Sequence, residues 1–456
     1  MVYNMTPSVE TGGRNSPSII ALAEQISSLC SQVSSYLTAN SFPQPSFKAE
    51  AGVVPQTPDY EALCAPLNDA VLDLLRLING PKASLLDLCF SHYNLAAMQI
   101  ALDRGFPHHV PVASATGSDV GKGATVAEIA QKAGMDADRT GRILKLLATQ
   151  RIFEEVVDDP DTECHDESNR RFTHTANSAL LARDAPFYAA LHLQVDDNFR
   201  AASESSAQVS LAPFASSATD CPFSKAYGSS MYQYIAQRPE KAERFAQAMV
   251  GWAEGELRQI HELHSGYPWE SLKDGPVVDI GGGNGHISVG LARKFPTLDF
   301  IVQDISVPML SAGKQNHYDD HDHDVYKRLN FQHYDFFQPQ PVYDASAFLM
   351  RQVLHNYNDE ESIKVIRAVV PAMERCAGPL LINDLILPKT GTIPRFQEEQ
   401  LRKIDINMMV LLGAKQRSRE EWARLIKEAD EKLEVVRVVE SVSGGPGLIE
   451  GTLASS

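Results

Sequence analysis

Basic side chains are too few in this sequence to balance the acidic ones. Lysine and arginine number 41 against 58 aspartates and glutamates, so the formal net charge is 41 − 58 = −17. Because binding to phosphates depends on basic residues, this deficit argues against nucleic acids and anionic membranes as partners. The sequence also lacks a run of about 18 apolar residues, the length that crosses a bilayer, and it does not begin with the basic and apolar regions of a signal peptide. We therefore expect no membrane partner.

Cysteine is scarce and scattered. The six cysteines form no CxxC pair and no spacing typical of a zinc site or a disulfide framework. This pattern suits a reducing compartment, so we expect a cytoplasmic protein. The hydrophobic fraction of 43% and the charged fraction of 22% are typical of a globular chain. At about 150 residues per domain, the length allows two or three domains.

Residues 1–80 are predicted to form a tail and a helical extension. A helix is expected to start with Ser16 as its cap and Pro17 at the first helical position, because leucines, isoleucine and valine then recur on one face. A second amphipathic stretch covers residues 59–78 and stops at Gly80. These apolar stripes need a cover, and a partner chain is one candidate.

Residues 81–270 are predicted to form a winged-helix-like dimerisation domain with helices that line the substrate. Between residues 124 and 180 the sequence has a short helix, a glycine turn, a longer helix and a two-stranded wing, the pattern of a winged helix-turn-helix. This pattern serves either DNA recognition or a structural or dimerisation role. The wing loop VVDDPDTECHDE is strongly acidic and would lie beside phosphates, which argues against DNA recognition.

Residues 271–456 alternate strand and helix patterns, which predicts an α/β sheet. The strongest local signal is the buried strand VVDI running into GGGNG, with glycines at 281, 283 and 285. Glycines let the backbone approach a ligand closely, and the helix start that follows offers free N–H groups. Asp304 ends the next apolar strand, where a carboxylate would bind a ribose diol.

The glycine spacing separates two kinds of cofactor. A dinucleotide fold has GxGxxG to seat a pyrophosphate, whereas this chain has GxGxG with Asp279 two residues before the first glycine. A carboxylate there would repel a pyrophosphate and suit a cationic ligand, such as an amine or a sulfonium. The spacing therefore argues against an NAD-dependent oxidoreductase.

At these residues the sequence resembles a known family. DIGGGNG followed by Asp304 looks like the glycine-rich motif of class I S-adenosylmethionine-dependent methyltransferases. With HYDFF, FLMRQVLHNYNDEE, LLINDLILP and LLGAKQRSREEW in that order, residues 85–450 resemble the cation-independent plant caffeate-type and fungal secondary-metabolite O-methyltransferases. The resemblance implies an α/β fold with a Rossmann-like methyltransferase domain, preceded by a helical, winged-helix dimerisation domain. It also implies a homodimer, S-adenosylmethionine as methyl donor and no metal.

The resemblance also implies roles for individual residues. Arg351 stands where the family often has a lysine near the cofactor. By the family pattern the remaining cofactor residues face the methionine end (Asp279, Gly281, Gly283, Gly285), the ribose (Asp304) and the adenine (Asp335, Phe336).

His355 is the residue we expect to be catalytic. LHNYND is similar to the family's LHxWxD segment, in which the histidine is the general base. The residues support this role independently, because Asn358 and Glu361 form a capping box that would leave His355 in a strand-to-helix turn at the carboxyl edge of the sheet. The family holds this histidine with two acids. Asp384 stands at the first of these positions, and Gln416, a neutral amide, replaces the second.

The leading hypothesis is an O-methyltransferase that acts on an aromatic hydroxyl of a secondary metabolite, such as a polyketide. A non-catalytic methyltransferase-like scaffold is the alternative, with Gln416 in its favour. A metal cluster could be formed by the acidic, histidine-rich stretch 317–324, which we interpret as a solvated insertion. Met408, Met409 and Leu411 could line an aromatic pocket or belong to the core.

Overall fold

The computed structural model describes residues 18–112, 123–156, 166–253, 256–319, 323–441 and 444–454. The chain divides into two compact units. The first comprises Met1–Ser46, Gly52–His92 and Pro394–Phe396, and the second comprises Phe47–Ala51, Tyr93–Ile393 and Gln397–Ser456. The boundaries predicted at residues 80 and 270 stay predictions. Among the described residues, no helix is both long and apolar enough to span a membrane.

The helices are α1 (Ile19–Ala39), α2 (Pro58–Asp103), α3 (Phe106–His109), α4 (Val126–Ala133), α5 (Ala137–Thr149), α6 (Ala176–Arg183), α7 (Ala185–Leu193), α8 (Phe199–Ser203), α9 (Ser205–Leu211), α10 (Pro222–Tyr227), α11 (Met231–Ala236), α12 (Pro239–Ala253), α13 (Glu256–Gly266), α14 (His286–Lys294), α15 (Val307–Asp319), α16 (His323–Tyr326), α17 (Asp359–Cys376), α18 (Arg395–Leu412) and α19 (Arg419–Ala429). The strands are β1 (Ala124–Thr125), β2 (Phe153–Val156), β3 (Arg171–His174), β4 (Val277–Ile280), β5 (Phe300–Asp304), β6 (Leu329–His333), β7 (Ala347–Arg351), β8 (Leu380–Asp384), β9 (Ile386–Leu387), β10 (Arg417–Ser418), β11 (Leu433–Val439) and β12 (Gly447–Leu453).

The first unit is built on α1 and on the larger part of α2. The N-cap of α1 is Ser18, whose hydroxyl accepts a hydrogen bond from the Ala21 N–H at 3.1 Å. The prediction that Ser16 caps this helix is therefore wrong; Ser18 is the hydroxyl in reach of an unpaired N–H of the first turn. Gly80 breaks the helical geometry within α2, with φ of +71°, at the position where the sequence predicts a stop.

After the end of α2 and the short helix α3, the second unit contains the elements predicted between residues 124 and 180. Helix α4 starts at a capping box of Thr125 and Glu128, and α5 starts with Asp136 as its cap. Strands β1, β3 and β2 then form an antiparallel sheet in that order. Phe153 and Phe172 are fully buried between this sheet and the helices. The acidic wing loop lies mostly outside the described residues.

The second unit also contains a seven-stranded sheet, whose strands lie in the order β11-β12-β8-β7-β4-β5-β6. β12 is antiparallel to both of its neighbours, and the other ladders are parallel. Successive strand residues point to opposite faces, so Val278 joins one buried cluster with α17 and α19, while Val277 joins another with α14. The strand order reverses between β4 and β7, the point at which such sheets bind ligands.

Two strands differ from the sequence-based expectation. The sequence pattern predicts a strand at YDFF, but β6 ends at His333, and Asp335 accepts a hydrogen bond from the Phe337 N–H at 3.0 Å, which turns the chain away from the sheet. β12 has no counterpart among the predicted strands, because its glycines at 447 and 451 weaken the strand pattern. Its ladder with β8 compensates for that weakness.

Candidate active site

The glycine turn after β4 has a conformation that side chains would not permit. Gly281, Gly283 and Gly285 have φ of +74°, +59° and +79°, in the left-handed region. A Cβ on Gly281 would lie 2.8 Å from the Val353 side chain, and one on Gly285 would lie 2.9 Å from the Phe331 ring. The backbone therefore lies close against its neighbours, and N–H groups at the start of α14 stay available for a ligand.

Asp279 lies behind this turn and not on its outer side. Its side chain is buried, and its carboxylate accepts a hydrogen bond from the Ser288 hydroxyl at 2.6 Å. A Cβ on Gly282 would meet the Asp279 carboxyl carbon at 2.6 Å, so the turn also requires a glycine at position 282. Gly282 is not among the predicted site residues. Burial raises the pKa of the Asp279 carboxyl, although Ser288 and the charges of His286 and Arg351 oppose the shift.

We expect Asp279→Asn to stabilise the protein at neutral pH. Because folding raises the pKa of this carboxyl, the native state loses stability as the pH rises above the usual aspartate value of about 3.9. The asparagine amide oxygen can still accept the Ser288 hydrogen bond. Urea unfolding at pH 7 should show a higher free energy of unfolding for the variant than for the wild type. The gain should vanish near pH 4, and exposed Asp299→Asn serves as the control. Equal stability of variant and wild type at pH 7 would contradict the prediction.

Asp304 connects the glycine turn to the end of β5. Its two carboxylate oxygens accept hydrogen bonds from the Gly283 N–H at 3.0 Å and from the Ser306 N–H at 2.7 Å. Each oxygen keeps a further lone pair for a hydroxyl donor. Ile305, Val307 and Met309, which follow on the same segment, are 45–60% exposed. The site thus combines an acceptor for a diol with an apolar surface.

Aromatic rings lie on the other side of the turn. The Phe336 ring is 3.6 Å from the Cβ position of Gly281 and contacts Phe337 and Tyr357 with centroid separations of 5.3 and 5.7 Å. Tyr232, on α11, is 49% exposed. Desolvation by the protein around it, together with the charge of Asp304, raises the pKa of Tyr232 to about 12. Nothing in the local sequence of α11 indicates that Tyr232 belongs to this site.

Two further residues predicted for the cofactor, Asp335 and Arg351, lie near the ends of β6 and β7. Asp335 follows β6 and, besides the Phe337 N–H, accepts a hydrogen bond from the Gln338 amide at 3.4 Å. Arg351, at the end of β7, is 8% exposed, and its guanidinium donates to the Asn383 side chain. The turn, Asp304 and Phe336 therefore share one edge of the sheet, while Arg351 and Asp279 are buried behind it.

His355 lies in the predicted strand-to-helix turn. A single 3₁₀ turn, Leu354–Asn356, follows β7, and α17 starts at the predicted capping box of Asn358 and Glu361. The Asp384 carboxylate, fully buried at the end of β8, accepts a hydrogen bond from the His355 N–H at 3.1 Å. A second Asp384 oxygen lies 3.4 Å from the His355 Nδ1. Asp384 therefore contacts both the backbone and the ring of the histidine.

A two-stranded parallel sheet brings Gln416 to the same ring. β10 pairs with β9, so that Arg417 lies opposite Ile386 and the preceding Gln416 comes level with the end of β8. The Gln416 side-chain nitrogen is 3.2 Å from the His355 Nδ1. Its Oε1 is buried and has no hydrogen-bond partner among the described residues. The three residues predicted for catalysis thus form one cluster.

Two further predictions concern metals and the substrate pocket. Most of the stretch 317–324 lies outside the residues whose side chains are described. Among those that are described, no group of three or more His, Cys, Asp or Glu could hold a metal ion. Leu411 is buried in a core cluster with Phe223 and Tyr234, and the two methionines pack half-buried against that cluster.

The chain is similar to known O-methyltransferases. A model of the O-methyltransferase domain matches residues 210–430. The O-methyltransferase sol2 of Alternaria solani is 40% identical over 435 residues, which cover 95% of this chain and 95% of that protein. The O-methyltransferase pgmB of Aspergillus terreus is 29% identical over 478 residues, which cover 99% of this chain and 100% of that protein.

A solved structure is similar over nearly the whole chain. OxaC, crystallised in complex with SAH and oxaline, aligns with a TM-score of 0.70 and 21% identity over 95% of this chain and 100% of that chain. At this identity the likeness shows a shared fold. The relative that is 40% identical over 95% of both chains shows the family: the chain belongs to the O-methyltransferase family.

Proposed function

We propose that this O-methyltransferase transfers a methyl group from S-adenosylmethionine to a phenolic hydroxyl of a small aromatic secondary metabolite, such as a polyketide. The observation that carries the proposal is the position of His355. Its ring is held by Asp384 and Gln416 at the sheet edge that also bears the glycine turn and Asp304. A base beside a cofactor site is what methylation of a weak acid requires.

The residues present fit S-adenosylmethionine. The glycine turn has left-handed φ at 281, 283 and 285, and its neighbours Asp304 and Phe336 lie within contact of it. Asp304 would accept hydrogen bonds from ribose hydroxyls, Phe336 would contact the adenine, and the buried charge of Asp279 would favour a cation at the turn. Bound there, S-adenosylmethionine supplies an electrophilic methyl group on a positively charged sulfur.

His355 would act on the acceptor hydroxyl. A phenol has a pKa of about 10 and is mostly protonated at neutral pH, so the Nε2 of His355 takes its proton as the oxygen attacks. Nε2 can do so only if Nδ1 carries the ring proton. Asp384, an acceptor at 3.4 Å from Nδ1, favours that tautomer. Gln416 also favours this tautomer if its amide oxygen, and not its nitrogen, faces Nδ1. The orientation of a glutamine amide is assigned from the hydrogen bonds around it, and a protonated Nδ1 requires the oxygen on this side.

The test of the function uses binding and turnover. Calorimetric titration of the protein with S-adenosylmethionine and S-adenosylhomocysteine should give micromolar affinities. Methyl transfer should then be detected with catechol, 1,8-dihydroxynaphthalene or 1,8-dihydroxyanthraquinone as acceptor. We expect dialysis against EDTA to leave turnover unchanged, because His355, and not a metal, removes the proton. Absence of binding to either cofactor form would overturn the proposal.

Gln416→Glu is expected to change the pH dependence of the reaction. A carboxylate beside Nδ1 would stabilise the imidazolium that forms when His355 accepts the proton. We expect kcat at pH 8 to rise severalfold, and the acidic limb of the kcat profile to move up by about one pH unit. Gln416→Met, which removes both amide functions at similar volume, should lower kcat. Superimposable profiles for the wild type and Gln416→Glu would contradict the prediction.

We also propose a cytoplasmic homodimer. Cys30, Cys64, Cys89, Cys221 and Cys376 are free thiols, which suits a reducing compartment. Within the first unit, eight large apolar side chains of α2 between Val71 and Phe90 are at least 44% exposed. An apolar stripe of this kind is typical of a protein interface, and a second copy is the proposed cover. Light scattering should give twice the chain mass, and Leu85→Glu with Leu88→Glu should give the monomer mass. A monomeric wild type would overturn this assignment.

A further inference from the structure

Arg417 is a fully buried arginine beneath the turn that carries His355. Its Nη1 donates to the Leu354 carbonyl at 3.1 Å, and its Nη2 donates to the Tyr357 carbonyl at 2.9 Å and to the Ser362 hydroxyl at 3.1 Å. Leu354 and Tyr357 flank His355 and its neighbour on either side. One guanidinium therefore ties together both ends of the turn.

The turn depends on contacts from outside itself. Gln352, which precedes it, has φ of +52°, a left-handed conformation that is uncommon for residues other than glycine. Only one helical turn follows, and within it the Leu354 carbonyl accepts a single main-chain hydrogen bond, from the Tyr357 N–H at 3.2 Å. The Ser362 hydroxyl, which Arg417 contacts, adds a hydrogen bond to the same carbonyl at 3.3 Å. Asp384 holds the turn at the His355 N–H, and Arg417 holds it at the carbonyls. Strained backbone persists where the surrounding structure over-determines it.

Arg417 is itself held by two further neighbours, Asp359 and Trp422. Its Nε donates to the Asp359 carboxylate at 2.8 Å, and its guanidinium lies 5.1 Å from the Trp422 ring centroid. Lys415 also reaches Asp359, at 3.2 Å. Burial acts to raise the pKa of Asp359, but Arg417 and Lys415 outweigh it and hold the pKa below its usual range. Asp359 is thus ionised at neutral pH and compensates the buried charge.

Stability alone does not account for this arrangement. A buried ion pair is often no more stabilising than apolar packing of the same volume. The planar guanidinium donates hydrogen bonds to two carbonyls, a hydroxyl and a carboxylate. These directional contacts fix the position and tilt of the backbone turn, which an apolar side chain cannot do. Lysine, with a single ammonium, cannot reach all four.

We propose that Arg417 is the positioning residue of His355: its fork, aligned by Asp359, fixes the turn so that the ring keeps Nδ1 at Asp384 and presents Nε2 to the acceptor hydroxyl. The inference rests on the proposed role of His355 as the base. Arg417 would thus contribute to catalysis by holding the backbone turn in place, whereas Asp384 and Gln416 contact the His355 ring itself.

The first test is hydrogen exchange in the protein without cofactor. In Arg417→Lys, peptides that cover residues 352–358 should exchange at least about tenfold faster, because the N–H groups of the turn open more often. Arg328→Lys is the matched control. Arg328 likewise donates to main-chain carbonyls, those of Ala292, Phe295 and Leu298, but away from His355. Unchanged exchange at 352–358 in Arg417→Lys would overturn the proposal.

The second test is a double-mutant cycle on methyl transfer to whichever of the three phenols named above reacts fastest. Arg417→Lys should lower kcat about 10- to 100-fold with unchanged affinity for S-adenosylmethionine, as expected for a misplaced catalytic group. In the His355→Ala background the same substitution should lower kcat less than twofold, because no ring is left to position. Equal losses in both backgrounds would show a merely structural role and overturn the proposal.

The two proposals fail in different ways. If the wild type binds no S-adenosylmethionine and methylates no phenol, the proposed function fails, while hydrogen exchange still decides whether Arg417 holds the turn. If Arg417→Lys does not fold, Asp359→Asn takes its place, since it keeps an acceptor for the guanidinium but removes the charge that aligns it. The same faster exchange at 352–358 and the same dependence on His355 are then expected, and their absence overturns the inference.

Discussion

Replacing His355 by alanine should lower kcat for phenol methylation by about 10²- to 10⁴-fold, the usual contribution of a general base. The affinity for S-adenosylmethionine should change less than threefold, because the ring contacts Asp384 and Gln416 and not the glycine turn. Steady-state kinetics and calorimetry on the same preparation measure the two quantities. Loss of turnover with intact binding separates a catalytic defect from a folding defect.

The chain offers a matched control for this substitution. His261 is an exposed histidine on α13 whose ring stacks on His264 with a centroid separation of 6.3 Å. His261→Ala should leave both kcat and the cofactor affinity unchanged. A His355→Ala enzyme that keeps more than a third of the wild-type kcat would exclude this residue as the base. The reaction would then depend on ionisation of the phenol in water before it binds.

Replacing Asp304 by alanine should weaken S-adenosylmethionine binding by about 100-fold or more. Two effects add: the ribose loses a charged acceptor, worth about 1.5–3 kcal/mol per hydrogen bond, and the Gly283 and Ser306 N–H groups lose the carboxylate that orders the turn. Calorimetric titration with S-adenosylhomocysteine measures the loss directly. S-adenosylhomocysteine carries no sulfonium charge, so the comparison does not depend on an attraction between Asp279 and the sulfonium.

Asp299→Ala provides the control for the Asp304 substitution. Asp299 directly precedes β5 and so lies at its opposite end; it is exposed, and its carbonyl, not its side chain, accepts the hydrogen bond from Val277. Asp299→Ala should bind cofactor as the wild type does. Equal affinities of Asp304→Ala and the wild type would mean that the ribose is held elsewhere, and the assignment of this edge as the cofactor site would have to be abandoned.

The sequence by itself determined the elements whose signals are local. The capping box at Asn358 and Glu361, the glycine turn and the strand that ends at Asp304 depend on residues within a few positions of one another. Each of these patterns follows from a local requirement of the backbone, such as capping the first turn of a helix. The capping box therefore sufficed to predict that His355 lies in the turn before α17. The start of α1 shows the limit of such signals, because Ser16 and Ser18 are both suitable caps and only the second is used.

The local sequence patterns do not show which distant residues meet; for His355, Asp384 and Gln416 only the family resemblance indicated it, and the tertiary structure gives the reason. The parallel pairing of β9 with β10 brings Gln416 to His355 across 61 positions of sequence. The same pairing places Arg417, for which the sequence patterns predict no role, beneath the turn. Asp279 shows the converse, since its position next to the glycines did not indicate that the chain buries its carboxylate behind them. Local propensity acts through neighbours along the chain, whereas contacts between distant residues depend on strand order and packing, which no short motif encodes.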